Sequence, residues 1–281
     1  MIRLKIALQK SGRLHEESIK LIKYCGINIE SNFGKKLKIK ALNFPMEIFF
    51  LRDDDIPQYI QDGVADIGIV GKNVVLEKQK NILIEEKLDF GFCKLSIAVP
   101  KGTLYKSVKD LHGKRIATSY PNILKLFLEK NNICSYIHNI SGSVEIAPNI
   151  GVADAICDIV SSGITLFFNN LKEIETILYS EAVLVCCPHL QEEQKILAKR
   201  LVYRIQGVKN ARKNKFLLFN VPFNFNVQNL KNFLPRMNLL PLSNSQWIAV
   251  QAVVPENIIW NTIEKLKKYG AQDFMVKDCI I

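Results

Sequence analysis

The sequence predicts an α/β protein in which two similar lobes enclose a cleft and a smaller ferredoxin-like unit follows. Three observations lead there. Short apolar runs rich in Ile, Val and Leu alternate with segments of helical period, and Gly-Val-Ala-Asp occurs twice in the same setting. The pattern then changes beyond a long helical stretch that ends near Ala211.

In chain order, Leu4 to Leu8 reads as a buried strand and Leu14 to Cys25 as a helix that Gly26 closes. The run DGVADIGIVG, Asp62 to Gly71, sets Gly-Val-Ala-Asp after a helix and before a buried strand, Ile67 to Val70. IGVADAICDIVSSG, Ile150 to Gly163, repeats that arrangement and marks a second lobe built like the first. KLSIAVP, Lys94 to Pro100, is the strand that crosses into the second lobe, and EAVLVCC, Glu181 to Cys187, the strand that returns. The first lobe is therefore discontinuous, residues 1–93 and 178–214, and the second spans 94–177. A helix from about Gln191 to Ala211 leads into strand FLLFNV, helix VQNLKNFL, strands LLPL and WIAVQAVV, helix ENIIWNTIEKLKKYG and strand DFMVKDC. That βαββαβ order is a ferredoxin-like unit over residues 215–281. Paired α/β lobes hold small ligands between them, because strand ends and helix N-termini converge there from both sides.

Composition excludes several classes. A chain of 281 residues, 48% hydrophobic and 23% charged, can bury a core and is not disordered. The opening MIRLKIALQKSGR alternates basic and apolar residues, so it reads as a strand and not as a signal peptide or membrane span; a cytoplasmic location without a membrane partner is expected. Seven cysteines without a CxxC pair fit neither a disulfide frame nor a zinc site. The net charge of +11 comes from lysines scattered along the chain, so no nucleic-acid partner is expected. The four histidines form no ligand spacing.

AICDIVSSGITL, Ala155 to Leu166, carries the most chemistry: an apolar strand holding Asp158, then Ser161, Ser162, Gly163 and Thr165 in a loop that opens a helix. Backbone N–H groups, small hydroxyls and close backbone approach are what a phosphate monoester needs. Asp158 then lies where a sugar diol extends from that phosphate. Lys10 and Arg13 follow the first strand on a Ser-Gly turn, as cations that meet phosphates or as ordinary turn residues. Arg52 precedes Asp53, Asp54 and Asp55, so it also reads as a partner for these acids, at least one of which is expected to cap the helix that follows. Tyr120 ends the strand of KRIATSYPN just before Pro121 opens a helix, placed to pack on a base or within the core. Glu145 lies just inside a helix beginning near Ser143, where an acid also suits the helix dipole. Asp66 and Asp154 close the two Gly-Val-Ala-Asp units and equally read as polar residues of a helix-to-strand turn.

The order and spacing of these segments resemble the long form of the ATP phosphoribosyltransferase family. The resemblance covers LQKSGRL, FFLRDDDIP, GVADIGIVG, LDFGFCKLSIAVP, GKRIATSYPN, GSVEIAP and RIQGV, and a signature of Glu145, Gly151, Ala153, Asp158, Ser162, Gly163, Thr165 and Asn169. Cys157 precedes Asp158 where many phosphoribosyltransferases carry two adjacent acids, so the type I form is not the match.

The resemblance implies a periplasmic-binding-protein-like catalytic core and an ACT-like C-terminal domain. It also implies transfer of phosphoribosyl from phosphoribosyl pyrophosphate (PRPP) to N1 of ATP, the first step of histidine biosynthesis, with Mg2+ as cofactor. Glu145 and Asp158 are then catalytic, Ser161, Ser162, Gly163 and Thr165 bind the PRPP phosphate, and Lys10, Arg13, Arg52, Asp66 and Tyr120 bind the nucleotide. Asp66 is preferred to Asp154 because its matching position in the family lies at the nucleotide site. L-histidine as inhibitor and a homo-oligomer, hexamer in equilibrium with dimer, are implied too. A non-catalytic two-lobed ligand-binding or sensor protein is the alternative; it would bring a signal peptide or a helix-turn-helix segment, and neither is visible.

Overall fold

The computed structural model describes residues 2–30, 36–161, 163–225, 230–231, 233–234, 236–242 and 246–279. The chain divides into two compact units: one runs to Val202, and the other comprises Tyr24–Gly26 and the chain from Tyr203 onward.

The first unit contains both lobes. Strands β1 (Leu4–Gln9), β2 (Lys38–Lys40), β3 (Met46–Leu51), β4 (Ile67–Gly71), β5 (Leu83–Lys87) and β11 (Ala182–Cys186) form a sheet ordered β2-β3-β1-β4-β11-β5. β1 is parallel to β3 and β4, whereas the returning β11 is antiparallel to β4 and β5. Helices α1 (Arg13–Tyr24), α2 (Ile56–Gln61) and α3 (Lys72–Lys78) alternate with these strands. Gly26 takes a left-handed φ of +69° and lets Ile27 N–H turn back to Ile22 O, which ends α1.

The other lobe is a five-stranded sheet ordered β10-β6-β9-β7-β8, built from β6 (Cys93–Pro100), β7 (Arg115–Thr118), β8 (Tyr136–Asn139), β9 (Ala155–Val160) and β10 (Leu171–Ser180). Helices α4 (Pro121–Lys130) and α5 (Ile164–Phe168) belong to it. Alternation in the strands buries both faces: Leu95, Ile97, Val99 and Cys157 join one core, and Ala98, Ile156 and Val160 another.

Helix α6 (Glu192–Arg212) leads into β12 (Asn214–Pro222), β13 (Met237–Pro241), β14 (Trp247–Pro255), α7 (Ile259–Lys268) and β15 (Gln272–Asp278). The four strands form an antiparallel sheet ordered β13-β14-β12-β15, the ferredoxin-like arrangement expected of this region. Of the expected helix VQNLKNFL, Leu230, Lys231 and Phe233 are helical, while residues 227–229 and 232 lie outside the described residues. Leu217, Phe219, Val221, Leu230, Val250 and Leu266 form the core of this unit.

Candidate active site

Strand β9 delivers Asp158, and the chain then turns through the phosphate-loop candidates. Gly163 takes φ +75°, a left-handed conformation that a side chain would strain, and so starts α5 abruptly. α5 is only 5 residues long, so donors for an anion come from the loop backbone and hydroxyls more than from a helix dipole. Arg13, Glu145, Asp158, Ser161, Gly163 and Thr165 line one cavity of about 220 Å³. Ser162 lies outside the described residues. The charge there is mixed: Arg13 opens α1 on one wall, and two carboxyl groups face it from the other lobe.

Burial, and secondarily the nearby Glu145 charge, push the Asp158 carboxyl up to about 6, although Ile159 N–H donates to its Oδ1 at 2.8 Å. Glu145 sits in a short 3-10 turn, Val144–Ile146, which starts after Ser143 as the sequence predicts but runs for only three residues. The two residues before this turn, Gly142 and Ser143, both take positive φ, 82° and 49°.

The opposite lobe presents cations at the carboxyl end of its parallel strands. Lys10 follows β1 and Arg52 follows β3, both exposed, and Lys10 N–H donates to Leu51 O. The three aspartates after Arg52 form a 3-10 turn in which no side chain caps a helix. The expected cap is absent because backbone carbonyls already take those N–H groups, Asp55 N–H donating to Arg52 O and Ile56 N–H to Asp53 O. Asp54 instead pairs with Lys78 at 3.3 Å.

Tyr120 lies between these groups. Thr118 donates its hydroxyl to Cys157 O (2.6 Å) and accepts Tyr120 N–H (2.9 Å), which fixes the turn that presents the ring. Burial first, then the charges of Asp158, Asp53 and Asp54, raise the phenol pKa. Helix α3 clasps this turn. Asn73 Nδ2 donates to the Tyr120 hydroxyl at 3.2 Å. One turn on, Glu77 accepts Asn122 N–H and Ile123 N–H, both at 3.0 Å. Glu77, only 5% exposed, therefore caps the N-terminus of α4 from the other lobe, a task that Tyr120 at the cap position leaves undone.

Asp66 stands apart from this cleft. It precedes β4, which pairs in parallel with β1, so it lies at the amino end of strands whose carboxyl ends carry Lys10 and Arg52, about 15–20 Å of strand away. It is 4% exposed, and its Oδ2 accepts Lys5 N–H at 2.7 Å. In this structure the Asp66 carboxylate ties β1 to the start of β4.

The family model described as ATP phosphoribosyltransferase matches residues 52–207, and that described as HisG, C-terminal domain matches residues 211–279. An ATP phosphoribosyltransferase of Cytophaga hutchinsonii is 52% identical over 97% of this chain and 96% of its own. The chain belongs to the ATP phosphoribosyltransferase family. Another member, from Parabacteroides distasonis, is 45% identical over 97% of each chain. Among solved structures, the ATP phosphoribosyl transferase (HisG:HisZ) complex from Thermotoga maritima matches with a TM-score of 0.63 and 30% identity, covering 73% of this chain and 97% of that one.

Within this ATP phosphoribosyltransferase-family core, Asn73, Glu77 and Ser180 escape the sequence reading. One signal was available: Asn73 and Glu77 are polar residues four apart, on one stripe of a helix that also buries Val74 and Val75. Polar groups on an apolar stripe need partners, and theirs lie more than forty residues away.

Proposed function

We propose that the cleft transfers the 5-phosphoribosyl group of PRPP to N1 of ATP, the first step of histidine biosynthesis. N1 of the adenine attacks C1′ of PRPP, the bond from C1′ to the pyrophosphate oxygen breaks, and pyrophosphate leaves with the electron pair, giving N1-(5-phosphoribosyl)-ATP. The convergence of Arg13, Glu145, Asp158, Ser161, Gly163 and Thr165 on one cavity carries this reading. It joins a phosphate-sized loop, carboxylates for a ribose and a cation for charge on the leaving group.

In this reading Ser161, Ser162, Gly163 and Thr165 hold the 5′-phosphate. Asp158 binds the ribose diol and stabilises positive charge that develops on the ring as the bond breaks. Glu145 works beside it. Lys10, Arg13 and Arg52 meet the triphosphate and pyrophosphate, and the face of the Tyr120 ring receives the base or ribose. The lobes are residues 1–93 with 178–214, and 94–177; residues from 215 form the regulatory domain.

Among the described residues no group of three or more acids, histidines or cysteines could cage a metal. Mg2+ fits all the same, because it is commonly held by one or two carboxylates together with substrate phosphates, and Glu145 with Asp158 supplies that donor set. When bound, it neutralises charge on the departing pyrophosphate.

The ACT-like domain binds L-histidine as a feedback inhibitor, and the enzyme acts in the cytoplasm as a homo-oligomer, hexamer in equilibrium with dimer. Inhibition follows if histidine favours a less active assembly. The test is an ultraviolet assay of product formation from ATP, PRPP and Mg2+, with and without L-histidine. Product suppressed by histidine is expected. Product insensitive to histidine removes the regulatory part, and no product from folded protein returns the chain to the binding-protein alternative.

A further inference from the structure

The hydrogen bonds around Asn73 have a direction. The Ser180 hydroxyl oxygen accepts Asn73 backbone N–H at 3.0 Å, and its own proton goes to Asn73 Oδ1 at 2.8 Å. An amide oxygen can only accept, so the atom left to face Tyr120 is Nδ2, a donor, 3.2 Å from the phenol oxygen. The phenol oxygen therefore accepts on that side, and its own proton is turned elsewhere.

The surroundings hold this arrangement in place. Asn73 is 6% exposed and Ser180 is buried where β10 ends. A Cβ on Gly71 would lie 2.4 Å from Asn73 Oδ1, so glycine there leaves room for the carboxamide to fold back towards Ser180. Glu77 fixes the start of α4, and Thr118 fixes the backbone of Tyr120. β7 and β9 are neighbouring parallel strands, Thr118 opposite Cys157, so Tyr120 and Asp158 both emerge from the same end of the sheet. They are close enough for the Asp158 charge to act on the phenol.

We infer that Asn73, anchored by Ser180, is a positioning residue that fixes the Tyr120 hydroxyl as a hydrogen-bond donor to the ribose of PRPP. This rests on the reading of the cleft given above and adds a residue class to it. Asp158 accepts protons from ribose hydroxyls, and Tyr120 donates to a ribose oxygen from the neighbouring strand. The ring face stays available to the adenine, so one side chain serves both substrates.

The experiment is steady-state kinetics on the full-length enzyme with ATP, PRPP and Mg2+, comparing wild type, Tyr120→Phe, Asn73→Ala and the double variant. Each single change is expected to lower kcat/KM for PRPP about three- to tenfold, the loss that goes with one hydrogen bond, while KM for ATP stays within about twofold. The double variant should be no worse than the poorer single one, because Asn73 acts through the hydroxyl that Tyr120→Phe has already removed. Losses that multiply, or an Asn73→Ala enzyme with unchanged kcat/KM for PRPP, would overturn the inference; a purely structural residue would lower Tm equally in both backgrounds without that kinetic silence. Ser180→Ala, which keeps the packing, provides the same cycle against Tyr120→Phe should Asn73→Ala fail to fold. A wild-type enzyme that forms no product would count against the proposed reaction and not against the hydrogen-bond direction.

Discussion

The two lobes are built by the same rule and differ where it matters chemically. In each, the aspartate of Gly-Val-Ala-Asp fastens the strand that follows it to the neighbouring parallel strand by a two-way exchange. Asp66 N–H donates to Lys5 O (2.9 Å) while Asp66 Oδ2 accepts Lys5 N–H (2.7 Å); Asp154 N–H donates to Arg115 O (2.8 Å) while Asp154 Oδ2 accepts Arg115 N–H (2.9 Å). At the carboxyl ends of the same strands the likeness stops. The lobe of Asp66 presents Lys10, Arg13 and Arg52, whereas the lobe of Asp154 presents Glu145, Asp158 and small hydroxyl residues. A repeated sequence element thus marks the end of the architecture that the two lobes share, and the proposed chemistry lies at the end where they differ.

The sharpest way to break this comparison is to alter the end where the lobes differ. Asp158→Asn should reduce kcat by on the order of 10³, as loss of a charge aimed at the transition state does, with the fold intact. Its stability should rise, because burial already lifts this carboxyl to about 6 and its ionised form is costly at neutral pH. Initial rates and thermal melts together decide it: wild-type turnover in that variant would sink the ribose assignment. On the cationic wall the effect should be smaller. Arg13→Ala is expected to raise KM for PRPP about tenfold with kcat within about threefold, and Arg13→Lys to recover part of that, since a lysine keeps the charge but not the forked donors. An unchanged KM for PRPP would remove Arg13 from the phosphate side.

Much of this was legible in the sequence because it is written locally. Apolar periodicity marks β1, α1, β4 and β9, and Ser161 to Thr165 combines small residues and a left-handed glycine within one turn. Arg13, Glu145, Asp158, Ser161, Gly163 and Thr165, each singled out in the sequence, line one cavity. Three features were not legible, each for a physical reason. The turn into Glu145 runs through left-handed backbone at Ser143, a conformation serine seldom adopts. The clasp of Asn73 and Glu77 depends on partners in the other lobe. The place of Asp66 depends on strand direction, because the amino and carboxyl ends of β4 look alike until its parallel pairing with β1 is known.

The smallest effects test the shared end, where the two aspartates share a backbone tie but differ in electrostatics. Arg115 turns its guanidinium onto Asp154, Nη2 to Oδ1 at 2.9 Å, and that hydrogen bond, more than any other contact, lowers the carboxyl pKa to about 2. Asp66 has no such fork; burial dominates and raises its pKa, with Lys5 opposing. The signs follow. Asp154 is depressed in the folded state, so its contribution is present above the unfolded carboxyl pKa and is lost as pH falls from about 4 towards 2. Asp66 is raised, so its contribution is present at low pH and is lost as pH rises through its folded pKa. Asp154→Asn should therefore cost about 1 kcal/mol at pH 7, the pKa shift being discounted because the pair is more than a third exposed, and this cost should vanish near pH 2 to 3. Asp66→Asn keeps an oxygen to accept Lys5 N–H and sheds a buried charge, so it should be neutral or stabilising at pH 7. Denaturant melts of both variants at pH 7 and near pH 2 to 3 measure the contrast, and equal costs at both positions would mean that the shared backbone exchange outweighs the charges around it.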